Sequence, residues 1–419
     1  MPSPTSWADL RGRRVGVWGL GVEGKATVRR LQELGITALQ VDADGFEAAF
    51  DDLAACDVVI KSPGISRYGE KCRRLSAAGP AIVGGLGLWL AEVDRSRVLC
   101  ITGSKGKSTT TAIAGGLLTG LGAGHVLGGN IGLPPWDPDV PRDVDWWVIE
   151  TSSYQALDVV VGPKVVAVTS LSEDHLPWHD GKAETYFRDK LSLCTRPGVE
   201  VVVADGGDAL LRAHADQLGS SVEWVERTAG VWCEGGRLLG QHNRRNAEIA
   251  RRALVALGVP GAEDEQLLAR AFESFEPLPH RLTPVVEIDN VLFVDDSIST
   301  NVLSTLAAVD SFPDRPVALL VGGLDREIDY GPLAQGLAGR ADLLVLTMPS
   351  NGAAIAGRLT GVVAVQECGS LEEATRAGHA WAKQRAGVVL LSPAAASFDR
   401  YADYRARGEA FAEIVEGLR

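Results

Sequence analysis

The residues Ile101-Thr-Gly-Ser-Lys-Gly-Lys-Ser-Thr-Thr-Thr111 carry the densest chemistry in the chain. Gly103, Ser104, Lys105, Gly106, Lys107, Ser108 and Thr109 form a glycine-rich loop after the apolar run Val98 to Thr102. From Thr109 onward, Ala112, Ile113, Ala114, Leu117 and Leu118 recur with helical spacing. A strand–loop–helix of this kind binds anions: loop N–H groups converge, the helix N-terminus adds partial positive charge, Lys107 counters phosphate, and the Ser108 hydroxyl can ligate Mg²⁺. The predicted chemistry is therefore nucleotide-dependent. The loop is short, with only Ser104 and Lys105 between Gly103 and the Gly106-Lys107 pair, where the common Gly-x-x-x-x-Gly-Lys form has a wider gap.

Further candidates surround it in sequence. Glu150 ends the strand-like run Asp145 to Glu150 and leads into Thr151-Ser152-Ser-Tyr-Gln155. An acid at such a strand tip suits a Mg²⁺-organising carboxylate, the alternative being a solvated strand end. Glu173-Asp-His175 follows another strand, Val165 to Ser170, and precedes a polar helix from Ala183 to Leu193. Nearer the N-terminus, Arg14-Val-Gly-Val-Trp-Gly leads through Gly19-Leu-Gly21-Val-Glu-Gly24 into a helical stretch, Ala26 to Leu34, and a strand ending at Val41-Asp42. This is a dinucleotide-fold signature, and alone it would suggest an NAD-dependent dehydrogenase. Lys61-Ser-Pro-Gly-Ile after Asp57-Val-Val-Ile reads as a second loop at the strand ends.

The elements that must position these residues fall into three alternating strand/helix blocks, which predicts an α/β protein of three domains: a Rossmann-like N-terminal domain over 1–95, a central P-loop ATPase-type domain over 96–282 and a Rossmann-like C-terminal domain over 283–419. Residues 222–240 read as a small hairpin-rich insertion, and Gly240-Gln-His-Asn as a helix start. In the third block the strands at Val291, Val317, Leu343 and Val388 end in Asp295-Asp296, Gly322-Gly-Leu-Asp-Arg326, Thr347 and Ser392-Pro. Small and polar residues there place ligands at the carboxyl edge of an open parallel sheet.

Composition narrows the class. Of 419 residues, 46% are apolar and 23% charged, as in an ordinary globular protein. The start, Met1-Pro-Ser-Pro-Thr-Ser-Trp, shows no signal sequence and no apolar run reaches membrane-spanning length, so a cytoplasmic protein without membrane partners is expected. The net charge of −13 argues against nucleic acid, and an anionic substrate would need a local basic pocket. Cys56, Cys72, Cys100, Cys194, Cys233 and Cys368 form no Cys-x-x-Cys pair and are expected as buried thiols.

Taken in order, Gly103-Ser-Lys-Gly-Lys-Ser-Thr109, Gly129-Asn-Ile-Gly132, Glu150-Thr-Ser-Ser-Tyr-Gln155, Glu173-Asp-His175, Lys190, His242-Asn-Arg-Arg-Asn-Ala247, Leu278-Pro-His-Arg281, Asp295-Asp-Ser297 and Ser392-Pro-Ala-Ala-Ala-Ser397 resemble the motifs of the Mur ligases across essentially the whole chain. The Gly19/Gly21/Gly24 loop, the Ser62-Pro-Gly-Ile65 turn and the stretch Ser392 to Asp399 are most similar to the branch that joins glutamate to UDP-N-acetylmuramoyl-L-alanine. The resemblance implies an ATP-dependent amide ligase of peptidoglycan precursor synthesis, working through an acyl phosphate with about two Mg²⁺ ions. It implies Lys107, His175 and Lys190 as catalytic groups, and Ser108, Glu150, His175 and Lys190 around the metal ions, Lys190 after carbamylation by CO₂. Carbamylation needs the neutral amine, so burial or nearby cations must lower the Lys190 pKa; the alternative is a surface lysine paired with Asp189 or Glu184. His175 could instead be a core histidine. Asn130 is implied near the γ-phosphate, Asn243 and Asn246 at adenine, and Arg281 and Asp296 at ATP phosphate and ribose. Gly21, Val22, Asp42, Ser152 and Gln155 are implied at the UDP-linked substrate, and Thr300, Arg326, Ser397, Phe398 and Tyr404 at glutamate. The first domain would then bind UDP, and the third would supply glutamate contacts and close on ATP.

Four positions depart from the family pattern. Glu23 puts an acid beside a diphosphate, unfavourable unless it points away or caps the helix. Lys105 stands where Asn is usual and adds a cation near the phosphates. In the glutamate pocket, two lysines of the D-glutamate enzymes are replaced by Ile298, in Asp296-Ser-Ile-Ser-Thr300, and by Arg326. Arginine grips a carboxylate bidentately where lysine is a point charge, so the clamp changes shape. L-glutamate is therefore expected over D-glutamate, with a separate epimerase downstream and a monomeric enzyme. Competing readings are a folate polyglutamate ligase, which lacks the first nucleotide domain, and a non-catalytic nucleotide-binding module.

Overall fold

The computed structural model describes residues 3–234 and 238–419. They form two compact units: Met1–Gly235 with Arg245–Phe275, and Gly236–Arg244 with Glu276–Arg419.

The first unit holds two parallel sheets. The smaller has strands β1 (Val15–Trp18), β2 (Leu39–Val41), β3 (Val58–Lys61) and β4 (Ala81–Val83) in the order β2-β1-β3-β4. The larger has β5 (Val98–Thr102), β6 (His125–Gly129), β7 (Trp146–Glu150), β8 (Val165–Val168), β9 (Val201–Asp205) and β10 (Val222–Val225) in the order β10-β9-β8-β5-β7-β6. Every residue of β5 and β8 is buried, which is why both read as unbroken apolar runs: helices cover a parallel sheet on both faces. One apolar cluster runs from Trp7, Val17 and Ile60 through Trp89 and Trp136 to Val98, Val166 and Val202, tying the two sheets into a single core.

The second unit holds β11 (Thr283–Ile288), β12 (Val291–Asp295), β13 (Val317–Val321), β14 (Leu343–Thr347), β15 (Ala364–Glu367) and β16 (Val388–Leu391), ordered β11-β12-β16-β13-β14-β15. Apolar clusters line both faces of the sheet, one around Leu319 and Val345, the other around Leu320 and Phe411.

Several elements differ from the sequence reading. Residues 222–234 are no hairpin. Val222–Val225 lies parallel to β9 as an edge strand, and the one-turn helix Val231–Cys233 buries Trp232 edge-on against Phe272, centroids 5.4 Å apart. An alternating run with no two-residue turn behind it has nothing to fold back on, so it extends the open sheet. The rest of that predicted insertion, at 235–237, lies outside the described residues. The antiparallel strand β11 was not anticipated; Asp289 and Asn290, with φ of 54° and 64°, make the tight turn joining it to β12. The helix Lys107–Gly120 starts before Thr109 because Gly106, left-handed at φ 88°, is its N-cap. The helix Val22–Glu33 likewise starts before Ala26, and the polar helix ends at Leu191. All six cysteines are buried, and no disulfide joins them among the described residues. No helix among the described residues is long and apolar enough to cross a membrane.

Candidate functional site

The crossing of chain direction at the centre of the larger sheet creates the site. From β5 the chain goes to the β6 edge, returns through β7, and then crosses to β8 on the other side, so loops diverge at the carboxyl ends of β5, β7 and β8. Register aligns those ends: Ile101 and Gly129 both pair with Glu150, and Thr102 with Val168. Ligands settle in such a crevice.

The glycine-rich loop is fixed by its own backbone and by the loop after β8. Gly103 has φ 139°, and a Cβ there would overlap Thr169 Oγ1, so only glycine fits. The Ser104 N–H donates to Ser170 O at 2.8 Å, and the Lys105 N–H to Ser170 Oγ at 2.9 Å. Thr169 Oγ1 donates back to Lys105 O at 2.5 Å, while Ser104 Oγ lies 2.8 Å from Tyr186 Oη and from Ser172 O. Lys107 Nζ donates to Gly103 O at 2.7 Å and Ser104 O at 3.1 Å. Ser108 is buried in the first helical turn and Thr109 half-buried beside it; Asn246 packs against Gly106.

Lys190, on the helix Ala183–Leu191, is only 2% exposed and donates to the same Gly103 oxygen at 2.9 Å. Burial, reinforced by Lys107 and Lys105 against the opposing pull of Asp174 and Glu150, holds its amine far below the ordinary lysine range. The surface-lysine alternative therefore does not apply. Its supposed partner Asp189 is engaged elsewhere, by His179 Nδ1 at 2.8 Å and by the Tyr68 hydroxyl at 2.8 Å. His179 Nε2 in turn lies 3.0 Å from Ser153 Oγ. This Ser153–His179–Asp189 chain has the order of a nucleophilic triad. All three residues are buried, however, so no substrate reaches Ser153; the chain fixes the helix that carries Lys190.

Glu150 is 1% exposed. Its Oε1 accepts from Asn130 Nδ2 at 2.7 Å, and among the described residues Oε2 has no hydrogen-bond partner. A buried carboxylate oxygen without a partner is costly and fits a cation site. Asn130, implied near the γ-phosphate, thus orients Glu150. His175 is not a core histidine: 57% of its side chain is exposed, its φ is 51°, and its ring meets Tyr154 edge-on at 5.4 Å. Burial on its inner side and the lysines Lys105, Lys107 and Lys190 depress its pKa, against Asp174. Lys105 does not stand free beside the loop, because its Nζ pairs with Asp174 at 3.0 Å. Burial disfavours the Asp174 anion, but Lys105 and His175 together keep its carboxyl below the usual range. No three of His, Cys, Asp and Glu gather at metal distance among the described residues. A metal here would draw on Glu150, the Ser108 hydroxyl and a modified Lys190.

At the smaller sheet, Gly19 at φ 88° and Gly24, where a Cβ would overlap Gly19 O, shape the loop; Gly21 is the N-cap of the helix Val22–Glu33 and Val22 is exposed. Asp42 accepts from the Ala43 N–H at 2.8 Å and the Leu20 N–H at 3.2 Å, and these amides hold its carboxyl below the usual range. Ser152 and Gln155 form a capping box at the helix Ser153–Ala156. Gln155 Nε2 then donates to Glu23 Oε1 at 2.6 Å. Burial pushes the Glu23 carboxyl up to about 7, partly countered by Gln155 and Lys61. Beside it, Lys61 Nζ lies 2.7 Å from Asp158 Oδ2, and Arg67 also pairs with Asp158. The sequence reading missed this cluster, though Lys61 ending an apolar strand was a visible signal.

In the second unit, Asp296 is buried, its carboxylate accepting from the Leu282 N–H at 3.1 Å and from Ser392 Oγ at 2.7 Å. Burial pushes it up to about 7, against bonds to Ser299 and Ser392. Arg281, half-buried, donates its N–H to Thr283 Oγ1 at 3.4 Å, and Asn243 Nδ2 donates to Leu239 O at 2.8 Å. The Arg326 guanidinium stands 5.6 Å over the ring of Phe398, which is 60% exposed; Ser397 is buried and Thr300 and Tyr404 are half-buried. Arg407, not foreseen from sequence, is buried and donates to Ser297 Oγ, Ser297 O and Ala395 O at 2.8 to 3.1 Å. It staples the turn after β12 to the chain before Ser397.

Residues 101–226 match the Mur ligase middle domain. A protein of Xanthomonas euvesicatoria pv. vesicatoria named UDP-N-acetylmuramoyl-L-alanine--L-glutamate ligase is 38% identical, covering 97% of this chain and 96% of its own length. A Micromonospora protein of the same name is 36% identical, covering 97% of each chain. Among solved structures, the fold is similar to that of UDP-N-acetylmuramate-alanine ligase MurC from Thermotoga maritima, with TM-score 0.57 and 18% identity over 97% of this chain and 100% of that one. It is also similar to MurF from Acinetobacter baumannii, with TM-score 0.61 and 16% identity over 83% and 87%. A strand-crossing phosphate loop, a buried lysine beside it and relatives aligned end to end converge on one conclusion: the chain belongs to the Mur ligase family of ATP-dependent ligases.

Proposed function

We propose that the enzyme joins L-glutamate to UDP-N-acetylmuramoyl-L-alanine at the expense of ATP, through an acyl phosphate, in peptidoglycan precursor synthesis. The observation that carries this reading is the end-to-end similarity to ligases named for L-glutamate, at 36 to 38% identity over 97% of the chain. The chemistry agrees. A carboxylate is a poor acyl electrophile; its oxygen attacks the γ-phosphorus of ATP, ADP leaves, and the glutamate amine then displaces phosphate from the acyl carbon. The loop N–H groups at the helix start, from Gly106 to Thr109, and Lys107 would hold the phosphates, Lys107 leaving the Gly103 and Ser104 carbonyls to offset charge on the transferring group. Asn246, packed on Gly106, and Asn243 would meet the adenine; Arg281 and Asp296 would serve the phosphates and ribose.

Mg²⁺, when bound, supplies charge neutralisation at the transferring phosphoryl group. Glu150 and Ser108 would hold one ion, and His175 with a carbamylated Lys190 the other. The Glu150 oxygen that has no hydrogen-bond partner among the described residues and the lowered Lys190 amine support such ions and such a modification. Gly21, Val22, Asp42, Ser152 and Gln155 would bind the UDP-linked substrate. Thr300, Arg326, Ser397, Phe398 and Tyr404 would bind glutamate, with Arg326 gripping a carboxylate bidentately. The functional domains would be 1–95, 96–282 and 283–419, in a cytoplasmic monomer whose product passes to an epimerase.

The test is phosphate release by purified protein given MgATP, UDP-N-acetylmuramoyl-L-alanine and one glutamate enantiomer at a time. Turnover with L-glutamate is expected, and turnover with D-glutamate alone would contradict the assignment.

A further inference from the structure

The groups proposed to hold metal at the centre of the larger sheet come from three separate segments. Glu150 ends β7, His175 is the N-cap of the one-turn helix Leu176–His179, and Lys190 lies near the end of the helix Ala183–Leu191. Lys190 disfavours a charged His175 and Glu150 favours a charged Lys190, so the three share one electrostatic field. A divalent cation is held only where its ligands keep their places to within about 0.2 Å. Something must therefore fix the three segments against one another.

One buried side chain is bonded to all of them. His179 closes the one-turn helix that His175 caps. Its Nδ1 lies 2.8 Å from Asp189 Oδ2, on the residue before Lys190, and its Nε2 lies 3.0 Å from the Oγ of Ser153, three residues beyond Glu150. A carboxylate accepts, which puts the ring proton on Nδ1 and leaves Nε2 of the neutral ring to accept from the Ser153 hydroxyl, so each nitrogen suits one neighbour only. Asp189 is held from its other side by the Tyr68 hydroxyl, at 2.8 and 2.9 Å from its two oxygens. The imidazole cannot turn: it is 0% exposed, with the rings of Tyr154, Trp178 and Tyr186 at 5.6, 4.5 and 5.1 Å. Apolar packing of the same volume would stabilise the fold about as well; what this polar chain adds is direction.

We propose that His179 is a positioning residue that sets the mutual spacing of Glu150, His175 and Lys190, with Ser153 and Asp189 as its two arms, and thereby the enzyme's grip on nucleotide-linked metal ions. This rests on the reading of those three residues as metal groups. His179 itself touches neither metal nor nucleotide. No proton leaves it and no covalent bond changes; it acts by holding three segments in one arrangement, so its loss is read in metal binding before it is read in chemistry.

The experiment is calorimetric titration of the full-length enzyme, in bicarbonate buffer, with a non-hydrolysable ATP analogue, once with Mn²⁺ and once with EDTA. The ratio of the two Kd values isolates what the metal contributes. In His179→Phe that ratio should shrink at least about tenfold, the usual effect of removing a group behind metal ligands, while the Kd in EDTA stays at the parent value. Ser153→Ala cuts one arm by a single hydroxyl and should shrink the ratio in the same direction by a smaller factor. His179→Asn, whose amide can still donate toward Asp189, should behave like Ser153→Ala. A role confined to stability would lower the melting temperature and leave the ratio unchanged. An unchanged ratio in His179→Phe, or in Ser153→Ala should His179→Phe not fold, would overturn the proposal and leave the metal reading intact. A parent enzyme that gains no affinity from Mn²⁺ would overturn both.

Discussion

A lysine amine 2.9 Å from a carbonyl oxygen that a second lysine reaches at 2.7 Å is a poor place for a second positive charge. Lys190 sits there with its amine far below the ordinary lysine range, which suits the proposed uptake of CO₂ by the neutral amine. Enzyme equilibrated with ¹³C-bicarbonate should show a carbamate resonance that Lys190→Arg lacks, with activity reduced at least about a hundredfold, since guanidinium cannot form the carbamate. A ¹³C signal unchanged in the variant would place the carbamate elsewhere. Asp296 gives a second prediction, in stability. Its carboxyl titrates near 7 when folded against 3.8 ordinarily. Below about pH 4 both states hold the proton; between pH 4 and 7 only the folded state does, so stability falls as pH rises through that window and levels off above it. Asp296→Asn should lessen this slope in thermal melts between pH 4 and 8, and an unchanged slope would contradict the assignment. The sequence made Gly103 and Gly106 legible because only glycine takes their backbone angles. It could not reveal that Lys105 is tied to Asp174 or that Asp189 serves His179, because both choices depend on which loops meet.

At the scale of elements, the site is three loops held in register by two parallel strand pairs. The loop after β8 is anchored by Asp208, which accepts from the Leu171 N–H at 2.7 Å while also capping the helix Ala209–Ala213. Asp208→Ala removes both contacts and should cost about 1–2 kcal/mol of stability, measurable by denaturant unfolding. Gly24→Ala would drive a Cβ into the Gly19 carbonyl and force the loop open. Affinity for the UDP-linked substrate should fall at least about tenfold, as expected for a lost first-turn phosphate contact of 1–2 kcal/mol; titration with that substrate checks it, and unchanged affinity would remove the loop from the binding site. Strand and helix alternation was legible from apolar runs such as Val165 to Val168, buried on every residue. The edge strand β10 and the antiparallel β11 were not. An edge strand's apolar face alone does not say which neighbour it joins, and β11 is half-buried along most of its length.

At the scale of the molecule, a chain of net charge −13 handles anionic substrates, so cationic character has to be concentrated locally. It is: Lys105, Lys107 and Lys190 converge on one loop, and Arg326 projects from the other unit's sheet edge beside Phe398. The chain departs most from the family pattern at the proposed glutamate clamp, with Ile298 and Arg326, and in the phosphate loop only at Lys105. We propose that this altered clamp selects L-glutamate. Phosphate release with MgATP, UDP-N-acetylmuramoyl-L-alanine and each glutamate enantiomer in turn tests it most directly. Turnover with L-glutamate is expected, reduced at least about tenfold in kcat/KM by Arg326→Lys through loss of the proposed bidentate grip; turnover with D-glutamate and none with L-glutamate would contradict it.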